Sequence, residues 1–344
     1  MAVSYPLLSV VVPIYFEEDT IPEFYSRMKS VLVGLESDLR HELIFVNDGS
    51  TDRSPLLLKE ISRSDKNVRI INFSRNFGHQ VAITAGIEHA SGDAVVVIDG
   101  DLQDPPEVIA GMVEKWREGY KVVYGVRSVR KGETAFKLLT ARLFYRLISR
   151  MSDVKLPLDS GDFRLMDRVV VEALNSIREE NRYIRGLISW IGFSQYALPY
   201  ERDSRYAGET KFNLKKMLKF ALDGITSFSD RPLRISSKLG TITTVVAFLA
   251  MLYIIVSKFV NPESVIQGWT SLLVVVLFLG GVQLISIGVL GEYIGRIYRE
   301  TKHRPLYIVE EKVGFVSPAQ TVPRDDAAAS EAWRERPGTD VTAA

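Results

Sequence analysis

Cysteine is absent from the 344 residues, so there is neither a disulfide framework nor a thiolate metal site, which suits a reducing compartment. An excess of charge of either sign is also missing: 43 Lys plus Arg stand against 42 Asp plus Glu, a net charge of +1. That balance gives no global pull toward nucleic acid, and none is expected as a partner. No internal repeat is visible. The first apolar run continues as Pro13-Ile14-Tyr15-Phe16-Glu17-Glu18 without a Gly-x-Gly-x-x-Gly turn, and no Walker-type Gly-x-x-x-x-Gly-Lys-Ser/Thr word occurs. Both omissions exclude the dinucleotide-fold and P-loop ways of holding phosphate. His79 and His89 are too far apart for the i, i+4 pair of a helical zinc site, so zinc is not expected.

What is present is unevenly spread. Leu239 to Ser257 and Ser264 to Gly291 carry no charge at all, and a run of about 19 such residues reaches about 28 Å, close to the hydrocarbon thickness of a bilayer. Arg231, Arg234 and Lys238 precede the pair and Arg296, Arg299, Lys302 and Arg304 follow it. The positive-inside bias then puts both flanks, both termini and the large N-terminal part in the cytoplasm, as in a bacterial inner-membrane protein. Leu7 to Phe16 has no basic segment before it and reads as a strand rather than a cleavable signal.

The expected organisation is a cytoplasmic domain over 1–212, an amphipathic interfacial segment over 213–238, a two-helix hairpin over 239–295, a juxtamembrane segment over 296–316 and a disordered tail over 317–344. In the second of these, Leu214, Met217, Leu218 and Phe220 alternate with Lys215, Lys216 and Lys219, the make-up of a helix lying in the headgroup plane of membrane lipid. Gly291 and Gly295 allow close helix contact and point to a homo-oligomer.

Between residues 7 and 126 short β-branched runs alternate with helical patterns, the order of a mostly parallel α/β sheet with helices on both faces. Strands are expected at Leu8–Tyr15, Glu42–Asn47, Val68–Phe73, Ala94–Ile98 and Lys121–Tyr124, and helices at Ile21–Leu35, Asp52–Ser62, Gly78–Ala90 and Pro106–Glu118. Polar residues gather where these strands end, at the edge where open α/β sheets bind ligands. Asp99 and Asp101 are two apart at the end of a buried strand, so extended backbone sets both on one face. A hard divalent cation such as Mg²⁺ or Mn²⁺ takes one or two carboxylates and completes its shell with water and phosphate oxygens. Spacing alone ranks the two aspartates equally.

The wider text resembles the family 2 glycosyltransferases, in the branch that moves a sugar from a nucleotide donor to a polyisoprenyl phosphate, with bactoprenol glucosyltransferase-like members near and dolichol-phosphate mannose synthases more distant. The words that carry this are Val11-Val12-Pro13-Ile14-Tyr15-Phe16-Glu17-Glu18, Val46-Asn47-Asp48-Gly49-Ser50-Thr51-Asp52, Ser74-Arg75-Asn76-Phe77-Gly78-His79-Gln80, Asp99-Gly100-Asp101-Leu102-Gln103-Asp104, Ser160-Gly161-Asp162-Phe163-Arg164 and Arg205-Tyr206-Ala207-Gly208-Glu209-Thr210-Lys211-Phe212. They extend over roughly residues 7 to 310. Phe16 stands where many relatives have Asn, Asn47 where many have Asp, and Gly100 where Ala is usual.

The resemblance implies a GT-A type fold followed by an interfacial helix and two transmembrane helices. It implies that Pro13, Tyr15, Glu17 and Asp48 surround the nucleobase and ribose, that Arg75 helps position the donor, and that Asp99 lies near the sugar. Asp101 and Gln103 would hold the metal. Arg127, Arg205 and Lys211 are candidates for the acceptor phosphate, and Asp162 for a base, a sugar contact or a guide for that phosphate. The expected reaction is an inverting, metal-dependent transfer of a hexose, glucose from UDP-glucose first, to undecaprenyl phosphate, giving a lipid-linked sugar for the cell envelope. UDP-4-amino-arabinose, UDP-N-acetylhexosamine and GDP-mannose stay open as donors, and a non-catalytic membrane scaffold is the rival from another class.

Overall fold

Leu8 to Ile14 and Leu43 to Val46 are buried almost without interruption, the mark of strands covered on both faces. A computed structural model describes residues 5–127, 160–180, 182–201, 231–260 and 269–315. Its first half runs β1 (Leu7–Ile14), α1 (Ile21–Leu35), β2 (Arg40–Asn47), α2 (Ser54–Ser64), β3 (Val68–Phe73), α3 (His79–His89), β4 (Ala94–Val97), α4 (Val108–Arg117) and β5 (Val122–Arg127). The expected strands and helices are therefore all there, displaced by a few residues at their ends. There follow β6 (Ser160–Asp167), α5 (Arg168–Ser176), α6 (Ile184–Ile191) and β7 (Gln195–Tyr200), then the long helices α7 (Arg231–Val260) and α8 (Trp269–Glu300), and last β8 (Val309–Val313).

The strands form one sheet in the order β7-β5-β6-β4-β1-β2-β3-β8. β1 pairs in parallel with β2 and β4, and β2 with β3, whereas β6 lies antiparallel between β4 and β5. One face packs on α1 and α4 through Phe24, Met28, Ile109 and Met112. The other packs on α3, α5 and α6 through Ala82, Ile83, Val170 and Leu187.

Connections run from β1 outward to β2 and β3, then return across β1 to β4. That reversal is the topological switch point of the sheet. Pairing of β1 with β4 ends at Val11 and Val97, so Pro13, which has no N–H to give, sits where that side of β1 asks for none. Beyond that point the two strands are no longer paired, although Gly100 still lies close to Ile14.

β8 adds antiparallel to the far side of β3, eight residues after α8 ends. Tyr307, just ahead of it, stacks on Phe73 with ring centroids 5.0 Å apart and donates its hydroxyl to Glu88 at 2.6 Å. α7 and α8 are long and apolar enough to cross a membrane, and Ile242, Val246, Leu249, Val276, Phe278, Leu284 and Ile285 on them are exposed. Residues 213–230 and 316–344, which include most of the expected interfacial segment and all of the expected tail, lie outside the described residues; Arg231 to Lys238 form the first turns of α7.

Candidate active site

The edge where β1 and β4 end has two sides. On the β2 side, Asp48 is buried and its backbone N–H donates to Ile14 O at 2.9 Å. Its carboxylate accepts from the N–H of Phe77 at 2.7 Å, the N–H of Gly78 at 3.0 Å and the Asn76 amide at 2.9 Å. Burial raises its pKa, and the two backbone N–H groups counter this only in part. Gly49 follows at φ +69°, and a Cβ there would lie 2.4 Å from the Arg75 carbonyl carbon. Only glycine lets these two turns touch, which explains the Asp-Gly pair physically.

Asn47 donates to Asn72 at 3.0 Å and accepts from the N–H of Ser50 at 3.1 Å, while Asn72 donates to Glu311 of β8 at 3.1 Å. Asn47 is therefore a link between the turn and the last strand. Glu17 takes part in the start of two helices: its carbonyl accepts from Thr20 and Ile21, and its N–H is 3.1 Å from Ser54 Oγ. Tyr15 is exposed at the mouth, edge-on to Phe16, which adopts φ +56°. Arg75 lies over the Phe77 ring, 4.0 Å from its centroid.

On the β6 side the site is built of charge. β4 and β6 pair with Val97 opposite Arg164, and continuing that antiparallel register sets Asp99 opposite Asp162. His79, the first residue of α3, stands between them, its Nε2 3.3 Å from Asp162 Oδ2 and 3.5 Å from Asp99 Oδ1. Arg185 of α6 grips Asp162 with Nε at 2.7 Å and Nη2 at 3.0 Å, and Gln80 donates to it at 3.1 Å. Arg164 is buried and donates to the carbonyls of Gly161 and Asp162 at 2.9 and 3.3 Å.

These contacts separate the two carboxylates electrostatically. Burial works to raise Asp162, but the Arg185 guanidinium and His79 outweigh it and hold the group well below the usual carboxylate range. Burial pushes Asp99 up to about 6, with His79 opposing and Asp162, Asp104 and Asp101 adding to the rise. Burial would lower His79, yet Asp99 and Asp162 lift it to about 9, so it is an imidazolium at neutral pH. Arg164 is brought down to about 10 by burial and stays charged.

Asp101 lies on the turn after β4 and accepts from the N–H of Gln103 at 3.1 Å, and between them Leu102 takes φ +60°. Asp104, fully buried, accepts from the hydroxyl of Tyr200 at the end of β7. No group of three or more His, Asp or Glu side chains able to hold a metal occurs among the described residues. A cation that borrows its remaining ligands from a diphosphate does not need one. The donors at this edge are oxygens, and Asp99 Oδ1 is a buried oxygen that receives no hydrogen bond among the described residues. That donor chemistry is of the kind Mg²⁺ or Mn²⁺ takes.

Of the residues expected from sequence, Pro13, Tyr15, Glu17, Asp48 and Arg75 gather around the β1 and β2 ends, and Asp99 and Asp162 meet across β4 and β6. Arg127 ends β5 opposite Tyr200. Arg205 and Lys211 lie outside the described residues. His79, Gln80, Arg164 and Arg185 were not expected as site residues. His79 and Gln80 stood within the Ser74 to Gln80 word and Arg164 within the Ser160 to Arg164 word, but Arg185 belongs to none of the words.

Residues 9–174 match the family model for glycosyl transferase family 2, and residues 231–297 match that for the GtrB C-terminal hairpin. The chain is 55% identical over 307 residues to the uncharacterized glycosyltransferase YkcC of Bacillus subtilis, covering 89% of this chain and 94% of that one. It is 45% identical over 307 residues to the bactoprenol glucosyl transferase of Shigella phage SfV, covering 89% and 98%. Among solved structures, S. aureus TarS 1-349 in complex with UDP-GlcNAc superposes with a TM-score of 0.45 at 17% identity, over 64% of this chain and 65% of that one.

Proposed function

The chain belongs to glycosyl transferase family 2, and from that premise we propose that it transfers a hexose, glucose from UDP-glucose, to undecaprenyl phosphate at the cytoplasmic face of a membrane. Relatives that cover nearly the whole chain include bactoprenol glucosyl transferases, and this supports a polyisoprenyl phosphate as acceptor. One observation carries the reading: a single chain joins an acidic sheet edge to two helices whose apolar side chains point outward. A reaction between a water-soluble donor and a lipid needs both parts, because the lipid tail must stay in an apolar medium while its phosphate reacts.

The acceptor is its own nucleophile. A phosphate monoester with a second pKa near 6 is largely dianionic at neutral pH, so a strong base is not required. One phosphate oxygen attacks the anomeric carbon as the bond to the nucleoside diphosphate breaks, and the electron pair leaves on the diphosphate. A single displacement inverts the anomeric centre. Pro13, Tyr15, Glu17 and Asp48 take the nucleobase and ribose, Arg75 and Asp99 the rest of the donor, and Arg127, Arg205 and Lys211 the acceptor phosphate. A bound Mg²⁺ or Mn²⁺, held by Asp101 and Gln103, supplies charge neutralisation on the departing diphosphate.

Purified full-length protein incubated with a short polyprenyl phosphate and each of labelled UDP-glucose, UDP-N-acetylglucosamine, UDP-4-amino-arabinose and GDP-mannose tests this. Glycolipid is expected from UDP-glucose and is expected to stop on chelation. Product from another donor alone replaces the sugar. No product from any donor sinks the assignment, and an unchanged rate under exhaustive chelation sinks the metal.

A further inference from the structure

Asp162 is the most restrained side chain of the site. Its two oxygens accept from Arg185 twice, from Gln80 and from His79, all within 3.3 Å. Its own carbonyl accepts from Arg164, so the backbone and the side chain of one residue are both pinned. Gln80 joins in twice, since its Oε1 also accepts from the N–H of Ile184 at 3.3 Å, the first residue of α6. Seating α6 by its apolar residues Ile184, Leu187 and Ile188 thus delivers Arg185 to the carboxylate.

A group that is to accept a proton needs a lone pair free to face the donor and a proton affinity near the working pH. Asp162 is poorly placed for this: Oδ2 already accepts three hydrogen bonds, Oδ1 is held by Arg185 Nε, and the neighbouring cations hold its proton affinity low. Its side chain is 7% exposed against 29% for Asp99 and 46% for His79, so an incoming substrate meets His79 and Asp99 first. Buried ion pairs add little net stability compared with apolar packing. A guanidinium, an imidazolium and an amide around one carboxylate, with a second arginine on its backbone carbonyl, are better explained as preorganisation of a fixed charge.

We propose that Asp162 serves the transfer as a fixed anion and not as a proton acceptor, and that Arg185 is the positioning residue that holds it, so that His79 is set between Asp162 and Asp99. This rests on the transferase reading above. Arg185 acts through Asp162: its planar fork matches the carboxylate with two parallel bonds, which lysine cannot copy.

The test is steady-state kinetics on the full-length enzyme, using the donor that supports wild-type turnover and a polyprenyl phosphate, with the Kd for UDP as the check on fold. Arg185→Gln is expected to lower kcat about 100-fold with donor KM and UDP Kd within about threefold of wild type, and Arg185→Lys to recover about tenfold of that loss. Because the two residues form one unit, Asp162→Asn combined with Arg185→Gln is expected to be no slower than the slower single variant.

A kcat within threefold of wild type in Arg185→Gln overturns the proposal, as does a rate that rises, the result for a base released from its clamp. Losses that multiply in the double variant overturn it too. If Arg185→Gln no longer binds UDP, Arg185→Lys carries the test: kcat about tenfold down at unchanged KM supports the proposal, and kcat within twofold of wild type overturns it. A wild-type enzyme that makes no glycolipid from any donor removes the transferase reading and this inference with it; a working wild type with an equally fast Arg185→Gln removes this inference alone.

Discussion

Asp48 and Asp162 are both buried carboxylates at one edge of the sheet, and they are held by opposite means. Asp48 receives the backbone N–H groups of Phe77 and Gly78 and the neutral Asn76 amide, and its pKa stays raised by burial. Asp162 receives a guanidinium and an imidazolium, and its pKa falls well below normal in spite of burial. Neutral donors fix shape, whereas cations fix charge as well. The β2 side of the site is accordingly a matter of where the 76–78 turn lies, and the β6 side a matter of which groups are ionised.

The largest effect that bears on this contrast is expected at Asp101, on the charged side. Asp101→Asn should lower turnover about a thousandfold, near the upper range for removing one transition-state charge stabiliser, while the melting temperature stays close to wild type; a variant that turns over normally would mean that charge is not what this edge supplies. Next comes Asp48→Ala, which strands two backbone N–H groups and leaves the Asn76 amide only the longer contact to the residue 48 carbonyl. A stability loss of about 2–3 kcal/mol is expected in thermal or denaturant unfolding. An Asp48→Ala protein with wild-type stability and no affinity for UDP would make Asp48 a nucleotide contact only and break the comparison.

Smaller is the pH effect of His79. Its folded pKa of about 9 lies above the ordinary value of about 6.5. The stability it contributes is therefore fully present below about pH 6.5 and is lost as pH rises through about 9. Its side chain is nearly half exposed, so solvent screens part of this. Between pH 6.5 and 9.5 the melting temperature of wild type should fall about 2–4 °C further than that of His79→Gln. Equal slopes would show that His79 carries no extra proton in the fold. Smallest is Phe16→Asn on the neutral side. Phe16 sits at φ +56°, where asparagine is less strained, and a gain of about 0.5–1 kcal/mol is expected in the same melts.

The half of the sheet legible in the sequence was the half with local regularity. β1 to β5 and α1 to α4 alternate at short intervals with clear periodicity, and the polar clusters at strand ends belong to the same edge at which Asp48 and Asp99 lie. Asp162 was visible as part of a word, but its partner Arg185 was not. It is 23 residues away, a single arginine at the start of an otherwise apolar helix, and only the seating of that helix beside β6 makes it a ligand for the carboxylate. His79 was weighed as a metal ligand by its distance from His89; its actual neighbours come from the ends of two antiparallel strands. β8 escaped notice because Val309-Glu310-Glu311-Lys312-Val313 is short, charged and preceded by a long apolar helix, so nothing in its composition announces a return to the sheet.

That last strand bears on how the protein is made. β3 lies inside the sheet only because β8 covers its outer side, and β8 is encoded after both long apolar helices. While the ribosome is still producing those helices, the backbone groups on the outer side of β3 lack their β8 partners, and a bare strand margin invites pairing with other chains. Completion of the sheet therefore comes after synthesis of both long helices, and a nascent chain halted before β8 is the species most exposed to aggregation and to chaperones.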